Sequence, residues 1–179
     1  MNRALTAVAV VLALLATAAC DRDQNDPEPI AACDLLTRGE TRDVLGGEVN
    51  APESTQGGAD ALAGRSGCAW STADGRKAIL VELVRTADMS DSVRRTGFSA
   101  SARFDAARSR HPDAAPVAIG DDAIWVEESA RLHVLAGDDY LTAEVAVPRP
   151  ADARPIAAEF ARRAVVRLTP PGGQTDGDE

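Results

Sequence analysis

The chain has 179 residues, 19 basic against 28 acidic, and is 45% apolar. That length suits about one domain of ordinary size, and the apolar fraction is enough for a packed core, which argues against wholesale disorder. The net charge of -9 excludes a phosphate-binding stripe, and six aromatic residues leave little material for a base- or sugar-stacking platform. No nucleic-acid partner is expected.

The first segment reads as an address. Arg3 supplies a positive start and Ala4 to Ala16 form an uncharged apolar run, with the small residues Thr17, Ala18 and Ala19 after it. Such a run reaches about 20 Å as a helix, against about 30 Å of bilayer hydrocarbon. Residues 1–19 therefore read as a cleaved signal peptide rather than a permanent anchor. Cys20 follows directly, and the arrangement resembles a bacterial lipobox, in which the cysteine thiol receives diacylglycerol and the chain is cut just before it. Ala18 and Ala19 suit that motif; Thr17 departs from its usual leucine. The competing reading is ordinary cleavage after Ala16-Thr17-Ala18, which releases a soluble chain with a free thiol. Residues 20–29 are polar, acidic and punctuated by proline, as a flexible tether from lipid to domain would be.

Three cysteines in an exported chain leave one over. Lipidation of Cys20 removes the oddness and lets Cys33 pair with Cys68 as a structural disulfide. Closing that loop stabilises by about 4 kcal/mol in the chain-entropy treatment. A redox pair or a metal site is the alternative; it has neither a Cys-x-x-Cys nor a nearby histidine to support it.

The folded part is expected over residues 30–169 as a single domain, with an acidic disordered tail at 170–179. Thr37 and Glu40 form a capping-box pattern that starts a short helix over Arg38–Leu45, and Gly46-Gly47 stops it. Residues 50–67 read as a long loop. Residues 68–71 and 77–85 read as two strands joined by a turn at Ala73-Asp74-Gly75-Arg76. Residues 90–110 form one bent helix or two short ones around Gly97. Four further strands are expected at 116–119, 123–127, 131–135 and 140–147, with turns at Gly120-Asp121-Asp122 and Gly137-Asp138-Asp139. Residues 152–168 close the domain as an amphipathic helix with Ile156, Phe160, Ala164 and Leu168 on one stripe. The sum is an α+β fold, an antiparallel sheet of about five or six strands with helices packed on one face and one disulfide.

The chain lacks the sequence signatures of a nucleophile elbow, a P-loop, a dinucleotide fingerprint and a His-Glu-x-x-His helix. His133, between Leu132 and Val134, reads as a solvent-facing strand residue, and His111 as a helix-end cation. The acidic pairs Asp121-Asp122, Glu127-Glu128 and Asp138-Asp139 lack the spacing of a calcium loop and read as turn chemistry. Trp70 and Trp125 lie on expected strands, in the core or lining a shared pocket. Arg94-Arg95 and Arg162-Arg163 read as solvated helix faces, the second pair alternatively touching anionic lipid. No catalytic residue, metal site or cofactor is expected.

Taken together, Cys20 after a signal peptide, Cys33-Asp34-Leu35-Leu36-Thr37, Gly67-Cys68-Ala69-Trp70 and Gly120-Asp121-Asp122-Ala123 resemble a group of small lipoproteins of high-GC bacteria, especially actinobacteria, built on a domain without assigned function. The resemblance covers about residues 20–168. It implies an α+β domain with its two cysteines bridged, and brings no catalytic residues. The resulting expectation is a lipid-anchored envelope protein facing outside the cytoplasm, with no enzymatic activity, that binds an envelope protein or small ligand. The alternatives are a carrier of a lipid or hydrophobic small molecule in a sheet–helix cavity, and an envelope hydrolase using His111 or His133.

Overall fold

The computed structural model describes residues 29–55 and 58–169. The expected signal peptide, Cys20, nearly all of the tether and the tail at 170–179 lie outside the described residues.

Helix α1 (Arg38–Leu45) begins as the sequence dictates. Thr37 Oγ1 accepts from Glu40 N at 3.3 Å, and Glu40 Oε2 accepts from Thr37 N at 2.8 Å, so each end of the box satisfies one backbone donor. Strand β1 (Glu53–Ser54) and the single turn α2 (Gly58–Ala61) follow, then β2 (Ala63–Ser71) and β3 (Ala78–Met89). Helices α3 (Asp91–Arg94) and α4 (Ala100–Arg110) come next, separated around Gly97, so the two-helix option holds. Strands β4 (Ala115–Pro116), β5 (Asp122–Val126), β6 (Arg131–Ala136) and β7 (Asp139–Ala146) precede α5 (Ala153–Leu168).

The strands form one antiparallel sheet in the order β1-β2-β3-β7-β6-β5-β4. Seven strands replace the expected five or six. The extra one, β1, arises in the segment read as a loop: Glu53 and Ser54 pair with Ala69 and Cys68. Strand β2 also begins five residues earlier than the apolar pattern suggests. Its first half, Ala-Gly-Arg-Ser-Gly, has no large apolar residue, and β3 holds it in place by pairing. At Gly64 the register slips, with φ at +61°, and an added Cβ would lie 2.2 Å from Arg85 O. Only glycine fits there.

The register assigns the faces. Trp70, Ile79 and Val145 form one row, and Cys68, Val81, Ala143, Leu132 and Trp125 the next. These pack under α5, α1 and the short 3-10 turn Ala32–Asp34 as the main core. The opposite face carries Val84, Tyr140 and Ile124, which pack with Phe104 and Ala100 of α4 in a second, smaller cluster. Helices therefore cover both faces, which corrects the one-face expectation. The cause is that Val84 of β3, Ile124 of β5 and the Tyr140 ring of β7 lie on that face, so a second layer has something to bury.

Candidate functional site

The pairing of Cys33 with Cys68 is present, with Cα atoms 5.1 Å apart. Cys68 is fully buried on β2, and Ala32 N donates to Ser66 Oγ at 2.9 Å beside it. The bridge and this bond hold the start of the domain against β2. Of the three cysteines, the lipid-attachment candidate Cys20 lies outside the described residues.

The most concentrated titratable chemistry lies on the α4 face. Register places Glu82, Thr142, His133 and Ile124 in one row across β3, β7, β6 and β5. His133 is 3% exposed, which corrects its reading as a solvent-facing residue: it points away from the main core, yet α4 covers that side. Its Nδ1 lies 2.6 Å from Tyr140 Oη, the two rings stack at 6.0 Å, and Nε2 is buried without a partner. His111, at the C-terminal cap of α4, brings its ring to 6.0 Å from that of His133.

Burial first, then the charges of Arg131, His111, Arg110 and Arg103, push the His133 imidazole down to about 4. Burial pushes the Tyr140 phenol up to about 12. His133 is therefore neutral at neutral pH. Glu82 accepts from both Arg65 (3.1 Å) and Arg103 (3.3 Å), and Arg131 pairs with Glu144. Chemically this is an ionic ladder around an uncharged imidazole, in which the Arg103 and Arg131 Nε atoms are buried without a partner. The group hydrogen-bonded to His133 is a phenol, not the serine that a Ser-His-Asp site requires.

A cleft of about 630 Å³ with charged side chains along its wall opens at the other end of the sheet, where Gly47, the Thr72–Lys77 turn and Arg149 meet. Lys77 Nζ donates to Leu45 O at 2.6 Å and so closes the end of α1. The Thr72 hydroxyl and the Arg76 backbone N–H hold the Asp74 carboxyl below its ordinary range. The cleft offers both signs of charge within a few residues.

The other sequence candidates resolve into structural roles. Trp70 and Trp125 are 1% and 2% exposed within the main core, with the Trp70 ring 5.4 Å from that of Phe160; they do not line a common pocket. Asp121 accepts from Gly137 N at 2.6 Å, and Asp122 pairs with Arg108. Glu127 accepts from the Trp125 indole, and Asp139 pairs with Arg85 at 3.1 Å. Among the described residues no group of three or more His, Cys, Asp or Glu is placed to hold a metal ion. Arg163 pairs with Glu159 at 2.8 Å and lies 3.9 Å from Asp43, and Arg162 lies 3.5 Å from Glu159, so both are engaged within the protein.

The fold and these placements define an α+β domain on a seven-stranded antiparallel sheet with one disulfide. Comparisons with protein-family models, with curated proteins and with solved structures give no match.

Proposed function

We propose that the chain is a lipid-anchored protein of the cell envelope, facing outside the cytoplasm, whose domain is a non-enzymatic binding module. Residues 1–19 direct export, acylated Cys20 holds the protein to the membrane, and residues 20–29 tether the domain. The observation that carries the reading is the Cys33–Cys68 bridge. With those two thiols joined, Cys20 is the single cysteine left, and it stands directly after an apolar run and two alanines. A disulfide within the domain also fits an oxidising compartment.

The binding role rests on the ionic ladder and the mixed-charge cleft, which offer polar contacts without a nucleophile poised on a histidine. The carrier alternative draws no support from Trp70 and Trp125, because both are consumed by core packing.

Intact mass of the protein extracted from membranes tests the reading, before and after reduction. The expected species starts at Cys20, carries a diacylglycerol increment, and gains two hydrogen atoms on reduction, as the reductant's two electrons and two protons open the disulfide to two thiols. An unlipidated chain starting at Ala19 overturns it.

A further inference from the structure

Helix α4 and the strands beneath it form a layer that the main core does not include. The helix buries Phe104, Ala100 and Ala107, and the sheet answers with Val84, Ile124 and Tyr140. Around this small cluster every packed element brings charge. Arg103 and Arg110 come from α4 and His111 from its cap, Arg131 shares β6 with His133, and Tyr140 lies on β7. The carboxylates nearby are already bonded to arginines: Glu82 of β3 to Arg65 and Arg103, Glu144 of β7 to Arg131, Asp122 of β5 to Arg108. A proton added at buried, unpartnered Nε2 of His133 would create a cation among cations, with no free carboxylate to receive it.

From this geometry we infer that α4 is an acid-released cover: protonation of His133 lifts Ala100–Arg110 from the sheet and bares the face carrying Val84, Ile124 and Tyr140, while the main core stays folded. The closed state holds the His133 imidazole at about 4, against the ordinary 6.5 once it is open to water. A base that binds its proton less readily in the closed state favours closure fully above about pH 6.5 and loses that preference as pH falls toward 4. Between pH 7 and pH 5 opening becomes about 20-fold more favourable on this linkage. The inference stands on this face alone and does not depend on the lipid anchor.

Hydrogen exchange of the full chain at pH 7 and pH 5, corrected for intrinsic rates, reads the opening directly. Protection of the α4 amides is expected to fall about 20-fold at pH 5, while that of α5 holds; in His133→Gln the α4 fall disappears. Unchanged α4 protection, a joint fall of α4 and α5, or the same fall in His133→Gln would each overturn the inference. If His133→Gln does not fold, the imidazole titration of the unaltered chain by NMR decides. A midpoint well below 6 supports the cover, and a midpoint near 6.5 overturns it.

Discussion

Glu40 does two jobs through one carboxylate. It accepts from the Thr37 amide that starts α1, and from Arg167 Nη2 at 2.7 Å, far along the chain. The Thr37 hydroxyl and amide and the Arg167 guanidinium hold its carboxyl down at about 2. Because the folded value is depressed, the contribution to stability is present above about pH 4.5 and is lost as pH falls through about 2. The site is partly solvated, so about 1 kcal/mol is expected after screening. Urea denaturation of Glu40→Gln should show that deficit at pH 7 and a shrinking one toward pH 2. The capping box is legible in the sequence as Thr-x-x-Glu. The Arg167 partner is not, since 127 residues separate it from Glu40. Gly64 is a second case of a role hidden from local pattern. Its positive φ and the approach of Arg85 O predict that Gly64→Ala costs about 2 kcal/mol or more. A chemical denaturation midpoint unmoved from the parent chain would show that β2 and β3 can part there at no cost.

At the scale of elements, α4 and α5 are unequal partners of the same sheet. Helix α5 buries Ala153, Ala157, Ala158, Phe160, Ala161, Ala164 and Leu168, whereas α4 buries one large side chain, Phe104. Phe104→Ala should therefore cost about 3–5 kcal/mol locally. The loss should appear as exchange of α4 amides with α5 still protected. Phe160→Ala, which removes the ring against Trp70, should instead lower the global unfolding transition. The α5 stripe, the Asp74-Gly75 turn and the alternation of β7 are all legible, because each is a period or a turn within a few residues. The side on which α4 lands is not. It follows from register across β3, β7 and β5, and the burial of His133 follows from it in turn. Strand β1 escapes for a related reason: two residues long, it has no propensity of its own and exists by pairing with β2, while the strand expected at 116–119 is reduced to Ala115–Pro116, held by pairing with β5.

Across the whole molecule, those two short strands are the ends of the sheet, which leaves little free edge for another chain to pair with. Between them the disulfide ties the start of the domain to the buried middle of β2. Replacing both cysteines, Cys33→Ala with Cys68→Ala, should lower unfolding free energy by about 4 kcal/mol, read by denaturation with and without reductant. A parent chain whose stability ignores reductant would mean that the closed loop is already ordered without the bond. The pairing was legible from cysteine arithmetic alone. Of the loop it closes, α1 was legible too, but β1 and the first half of β2 were not, since they are held by pairing with Cys68, Ala69 and β3.

That closed loop also fixes how the domain would respond to mechanical tension. A pull on the chain ahead of Cys33 passes through the two sulfur atoms into Cys68 and spreads along β2 to the strands beside it. Helix α1, inside the closed loop, lies off the covalent path between the two cysteines. While the bond is intact, drag on the protein reaches the sheet without first passing along α1.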